Sequence, residues 1–270
     1  FRSFKSQFVK ESIVITRRKP RRFTDSRSND ACLGNFFLDY DQERATKMGL
    51  LHAAEDSPSD KDDYSVNLIN GVAGSGKTLI LINRALLYQK KNPDKKTIIL
   101  IHNKPIVSWV RSIIRQHSRD IAVETFHAFA KQQAERALAT KINPLFKLYA
   151  SHIPNLAEQI KLDKDKIAEE IEYINDYLIS SEEAYLEYER QGRGFSLQKN
   201  QRSLIWQLYE NITAALKTNN TAGQPHLASL YIRDLCLLDS PENLRKYDHI
   251  MIDEAQFFAP SWLQLTKKSL

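Results

Sequence analysis

The stretch Gly71-Val72-Ala73-Gly74-Ser75-Gly76-Lys77-Thr78 satisfies every fixed position of the pattern G-x-x-x-x-G-K-[ST]. Upstream, Tyr64 to Asn70 (YSVNLIN) places its apolar residues as a short buried strand would, and downstream Leu79 opens a helical stretch through Tyr88. A strand, a glycine turn and a helix start form the setting in which this pattern builds a phosphate cradle. Glycine lets backbone N–H groups turn inward with no Cβ in the way, and the positive end of the helix dipole adds its own attraction for an anion. In this reading Gly71, Ala73, Gly74, Ser75, Gly76, Lys77 and Thr78 surround the phosphates. Lys77 reaches the terminal ones and the Thr78 hydroxyl binds Mg2+. A glycine-rich turn that matches by chance is the alternative, and the flanking segments argue against it.

A second anchor lies far downstream. His249 to Asp253 (HIMID) has strand character and runs into Glu254-Ala255-Gln256. An apolar strand ending in Asp-Glu puts two carboxylates at the carboxyl edge of a sheet, where open α/β folds bind ligands. Asp253 is expected to hold Mg2+ opposite Thr78, and Glu254 to orient and deprotonate a water that attacks the γ phosphate. Taken alone, such a pair is more often a surface feature; a phosphate cradle in the same sheet reverses that.

Between the anchors, Thr97 to Ile101 and Ile121 to Thr125 read as two further strands. Each is followed by a helix, the first begun near Pro105 with Ile106, Trp109, Val110 and Ile113 on its apolar face, the second running to about Ala139. This alternation predicts a parallel sheet covered on both faces. From about 141 to 244 the pattern becomes almost wholly helical. Ser180 to Glu183 fits a capping box before a helix over 184–190, and Leu204, Ile205, Leu208, Tyr209 and Ile212 share one helical face. A last helix starts at Pro260. The expected organisation is therefore a basic lead over 1–30, a discontinuous α/β domain over 31–140 and 245–270, and an inserted helical subdomain over 141–244.

The chain has 270 residues, a formal charge of +6 and only two cysteines, Cys32 and Cys236. The widely spaced cysteines argue against a disulfide framework or zinc site and fit a reducing cytoplasm. No apolar run approaches the roughly 18 to 20 residues that cross a bilayer, so no membrane partner is expected. Residues 1–30 carry nine Lys or Arg against three acids. The run Arg17 to Arg22 reads as a phosphate-touching segment, a localisation-like signal or, more often for such runs, a solvated linker. The beginning at Phe1 and the end within a helical stretch suggest a piece of a longer protein.

GVAGSGKT, the DEAQ of Asp253 to Gln256, and Thr125-Phe126-His127-Ala128-Phe129 together resemble superfamily 1 DNA helicases of the UvrD/Rep/PcrA kind, whose corresponding motif reads TFHSF. Gln42, in LDYDQERA, falls where that family's Q motif reads adenine, and His102-Asn103-Lys104 stands where it has Thr-Asn-Lys. The resemblance spans about residues 33 to 270. It implies a RecA-like P-loop NTPase sheet carrying an inserted α-helical subdomain, with ATP and Mg2+ as cofactors. Lys77, Glu254 and Gln256 are then the catalytic residues, Gln256 sensing the γ phosphate, while Gln42 reads the base. Single-stranded DNA should cross near Asn103, Lys104, Thr125, Phe126 and His127, with family-like 3′ to 5′ movement.

The residues also allow plainer roles. His127 could cap local backbone, Phe126 could equally belong to the core, and Trp109 reads as core rather than as a base platform. Gly192-Arg193-Gly194 could touch DNA or be a simple turn between helices. Phosphate and stacking contacts do not separate DNA from RNA. A nucleotide-sensing binding module that never translocates is the reading from another class. His102 and Pro105-Ile106 depart from the family pattern. Its later motifs, including the arginines of a second RecA-like domain, would lie beyond Leu270, so this piece alone should bind nucleotide but hydrolyse it poorly.

Overall fold

The run Thr97–Ile101 is buried along its whole length and forms the middle strand, β1, of a three-stranded parallel sheet. The structure, a computed structural model, describes residues 21–22, 37–48, 66–138, 141–142, 158–190, 193–218, 221–222, 228–239 and 241–270. The expected loop over 55–63, Gly192 and all of the basic lead except Arg21 and Arg22 lie outside the described residues. β2 (Ile121–Thr125) lies on one side of β1 and β3 (His249–Asp253) on the other. Thr97 pairs with Ile121 and with His249, and Ile101 with Thr125 and with Asp253. The three strands thus run in step and finish at one edge.

A parallel strand buried on both faces carries no polar alternation, which is why Ile98, Ile99 and Leu100 follow one another and are each 0% exposed. Each such side chain contributes about 1.5–3 kcal/mol through burial. At the other end of the sheet the register is clamped by Asp248. Its carboxylate accepts from Lys95 Nζ and from the Lys96 backbone N–H, both at 2.8 Å.

Two compact units divide the chain, one comprising 1–125, 246–255 and 270, the other 126–245 and 256–269. The first holds the sheet with helices α1 (Tyr40–Lys47), α2 (Lys77–Lys91) and α3 (Lys104–His117). Pro105 sits in the first turn of α3, where its missing N–H costs nothing. Val107, Val110, Ile113 and Ile114 of α3 join Ile82 and Leu86 of α2, Ile99 of β1 and Val123 of β2 in one core cluster. Trp109 does not: it is 45% exposed, because the helical period that buries Val107, Val110 and Ile114 turns it toward solvent.

The strand expected over 64–70 is also corrected over its described residues, Tyr64 and Ser65 lying outside them. Val66 to Asn70 have no regular structure, and Val66 and Leu68 are 80% and 70% exposed. Three apolar residues spaced by Ser65, Asn67 and Asn70 carry weak strand preference on their own, and among the described residues no strand pairs with them.

The second unit contains α4 (Phe126–Ala137), α5 (Lys164–Asp176), α6 (Glu182–Glu187), α7 (Lys199–Thr218), α8 (Ala228–Leu237) and α9 (Pro260–Lys268). Its core joins Ile167, Ile171 and Ile174 of α5 to Tyr185 of α6, to Ile205, Trp206, Tyr209 and Ile212 of α7 and to Leu230 of α8. Ser181 caps α6 by accepting from the Ala184 N–H, and the helix ends at Glu187 rather than reaching the expected residue 190. Two short bridges complete the picture: Arg21–Arg22 with Phe37–Leu38, antiparallel, and Lys141–Ile142 with Thr221–Ala222, parallel.

Candidate functional site

The glycine loop is built as a cradle by two left-handed residues and one close approach. Gly74 and Gly76 sit at φ 78° and 81°, a region that side chains rarely adopt. At Gly71 a Cβ would come within 2.5 Å of Ser75 Oγ, so a side chain there would have to displace the serine hydroxyl. Gly76 is the N-cap of α2 and accepts from the Ile80 N–H at 3.0 Å. The N–H groups ahead of Ile80 have no acceptor within the helix, which leaves the positive end of its dipole at the loop. Lys77 reaches back over the loop, donating from Nζ to the carbonyls of Gly71 at 2.9 Å and Val72 at 3.0 Å. An ammonium so placed is held at the concave side of the cradle, where anionic oxygens would exchange for those carbonyls.

One residue into α2, the Thr78 hydroxyl donates to Asp253 Oδ2 at 3.0 Å. Asp253 is the last residue of β3 and only 3% exposed. Burial pushes its carboxyl up from the ordinary range, the Thr78 hydrogen bond opposes this, and the charge of Glu254 adds to it. A buried carboxylate so destabilised gains from a cation. A hydroxyl and a carboxylate within one hydrogen bond of each other are hard oxygen donors converging from two elements, and they fit Mg2+, which takes one or two protein oxygens and keeps several waters. Glu254 follows at φ 54°, a left-handed backbone that is uncommon for a residue other than glycine. Strain of this kind concentrates at functional positions.

Gln42 arrives at the cradle from α1. With Asp39 it forms a capping box: the Gln42 N–H donates to Asp39 Oδ1 at 2.8 Å, and Gln42 Oε1 accepts from the Asp39 N–H at 3.1 Å. Its Nε2 then donates to the Ser75 carbonyl at 3.1 Å. The spacing D-x-x-Q in LDYDQ is the sequence signal for this cap. Arg84, which sequence reasoning missed, fixes α1 to α2. Buried at 6% exposure, it donates to the carbonyls of Thr46 and Met48 at the end of α1. A cation at a helix C-terminus is favourable, although burial lowers its pKa. Only its tertiary setting distinguishes it from any other helical arginine.

The remaining predicted residues fall as follows. Asn103 and Lys104 follow β1 and are exposed, and the Asn103 side chain makes no cap to α3. Thr125 closes β2. In the helical unit, His127 is exposed near the start of α4, its ring 4.8 Å from Trp262 in an edge arrangement. Phe126 is 1% exposed and stacks on Trp262 at 4.4 Å, with Phe258 at 5.2 Å. Its faces are taken by protein, so the expectation that it meets DNA is corrected to a core role that supports His127. Gln256 is exposed in a short 3-10 turn, Ala255–Phe257.

Among the described residues no group of three or more His, Cys, Asp or Glu is arranged to hold a metal by itself, and no helix is long and apolar enough to cross a membrane. A search of curated proteins finds no match to the chain. The family model of the UvrD/REP helicase N-terminal domain matches residues 55–268, from ahead of the cradle to the end of α9, while Gln42 lies upstream of it. With the glycine cradle and the Asp-Glu strand end both inside that span, the chain belongs to the UvrD/REP helicase N-terminal domain family and is a helicase motor domain.

Proposed function

We propose that the chain binds ATP with Mg2+ as the first RecA-like domain of an ATP-dependent helicase or translocase on single-stranded DNA, moving 3′ to 5′. The observation that carries this reading is the Thr78–Asp253 hydrogen bond, which joins the phosphate loop to the Asp-Glu strand end at 3.0 Å. Lys77 and the loop N–H groups bind the phosphates, Gln42 reads adenine, and Thr78 with Asp253 holds the metal. Bound Mg2+ supplies neutralisation of the charge developing on the phosphates. Glu254 takes the proton of the attacking water, and Gln256 senses the γ phosphate. Asn103, Lys104, Thr125 and His127 contact the strand. The domains are a basic lead, a discontinuous nucleotide-binding domain and a helical insertion, and the setting is the cytoplasm.

A second RecA-like domain supplies arginines that in related hydrolases are worth about 10³–10⁵ in rate. The chain alone therefore binds ATP and turns it over slowly. The test is titration of a fluorescent ATP analogue in Mg2+. Lys77→Ala should abolish saturable binding, and wild-type affinity in that variant would overturn the cradle. Stimulation of ATP hydrolysis in the intact parent by single-stranded DNA but not by RNA of equal length supports the DNA assignment; the converse overturns it.

A further inference from the structure

The first turn of α9 has no cap of its own. Ala259, the N-cap, offers no side-chain acceptor and Pro260 lacks an N–H, so the positive end of the helix dipole is left to a neighbour. That neighbour is Asp176, the last residue of α5, whose Oδ1 accepts from the Ser261 hydroxyl at 3.4 Å. Ser261 is 0% exposed, and its carbonyl in turn accepts from the Cys236 thiol of α8 at 3.1 Å. At its far end α9 is held by Lys268, which donates to the Leu238 carbonyl at 2.6 Å, and by Ser269, which accepts from Gln133 of α4 at 3.1 Å. Of these grips on α9, that of Asp176 comes from α5.

The charge of Asp176 does not serve stability. Burial pushes its carboxyl up to about 6, with the side chains of Ser261 and Trp262 opposing, and among the described residues no lysine or arginine offsets it. A carboxyl whose pKa is raised by folding destabilises the fold above that pH, where an asparagine of the same shape would not. Groups shifted by burial in this way concentrate at functional positions. The question is then what the anchored turn carries.

It carries Trp262. That ring stacks on Phe126 at 4.4 Å with the planes 12° apart, meets Phe258 at 5.4 Å and stands edge-on to His127 at 4.8 Å. Phe126 is 1% exposed among these rings, and a close-packed interior passes a displacement on rather than absorbing it. A shift of the α9 turn therefore reaches His127 at the start of α4. We propose that Asp176 is a positioning residue of the motor: held against Ser261, it fixes the first turn of α9 and, through Trp262, the place at which His127 meets the strand. The inference rests on the reading that His127 contacts nucleic acid, and it gives Asp176 no contact of its own with the strand.

The test is ATP hydrolysis by the intact parent against oligothymidylate concentration, with the melting temperature at pH 7.5 read in parallel. Asp176→Asn keeps an acceptor for Ser261 and removes the charge. It should raise the half-stimulating oligothymidylate concentration roughly three- to tenfold, leave the basal rate and the KM for ATP unchanged, and keep or raise the melting temperature. A lowered melting temperature with the oligothymidylate requirement unchanged is the mark of a merely structural residue and would overturn the proposal. His127→Ala should raise the requirement by itself, and Asp176→Asn added to it should do nothing more. Additive effects would overturn the route through His127 and leave His127 as a strand contact, with the proposed function standing. Should Asp176→Asn both melt earlier and need more oligothymidylate, Ser261→Ala, which breaks the same bond from α9, decides. A raised requirement that vanishes in the His127→Ala background supports the proposal, and any other result overturns it. A wild type that is stimulated while His127→Ala has no effect would remove the strand contact and this inference together.

Discussion

Thr78 and Asp253 stand 175 positions apart in the chain and share a hydrogen bond of 3.0 Å. Parallel register makes this possible: β3 ends level with β1, so the Asp-Glu pair reaches the edge where the glycine loop turns into α2. Asp253→Asn keeps an acceptor for Thr78 but removes the charge that a metal needs. Hydrogen bonds to charged groups are worth about 1.5–3 kcal/mol, so affinity for a fluorescent ATP analogue should fall about tenfold or more in Mg2+. In EDTA the variant and the wild type should agree. An equal loss under both conditions would mean that Asp253 serves the loop rather than a metal.

Glu254 is held at φ 54° directly after Asp253. A left-handed residue other than glycine costs about 1–3 kcal/mol, partly offset in Glu254→Gly by the greater chain entropy that glycine loses on folding. Glu254→Gly should therefore unfold in urea at or above the wild-type midpoint. Glu254→Val, β-branched, should unfold earlier. Both should retain ATP binding and lose hydrolysis in the intact parent. A glycine variant that still hydrolyses ATP would take the base role away from Glu254.

The strands 97–101, 121–125 and 249–253 were legible because short apolar runs bounded by polar breaks leave little choice of length or period, and the structure places them at those bounds. The loop was legible because its shape depends on backbone freedom that only glycine supplies, at Gly74 and Gly76 by φ. Residues 66–70 failed the same reading because a strand exists only with a ladder partner, and three apolar side chains do not name one. Arg84 escaped for a related reason. A helical arginine looks alike in sequence whether it meets water or the carbonyls of Thr46 and Met48.

Gly76 and Gln42 are coupled at close range. A Cβ on Gly76 would lie 2.7 Å from Gln42 Nε2, and the backbone there is at φ 81°. Gly76→Ala should thus cost about 1–2 kcal/mol from the left-handed backbone, plus a collision that the flexible glutamine resolves by giving up its bond to Ser75. In a double-mutant cycle read by urea denaturation, Gln42→Ala should relieve the second part and leave the first. Strict additivity would show that Gln42 does not brace the loop.

His249 opens β3 against α2, its ring 4.0 Å from Tyr88 and nearly parallel to it at 12°. Burial, with the charge of Arg84 on α2, lowers its pKa to about 4, and its Nε2 is buried with no hydrogen-bond partner. The Asp248 carboxylate precedes it in the chain but is engaged by Lys95 and the Lys96 N–H. Because the folded pKa is depressed, the unfolded chain binds the proton first as pH falls below about 6.5, the ordinary histidine value. Folding stability should then decline from pH 6.5 and level off below about 4. His249→Phe keeps the stack and removes both the titration and the unpartnered nitrogen. Its urea midpoint should equal or exceed the wild type at pH 7.5, and the gap should widen by about 1–3 kcal/mol between pH 6.5 and 4. A constant gap across that range would show that His249 binds its proton equally in both states.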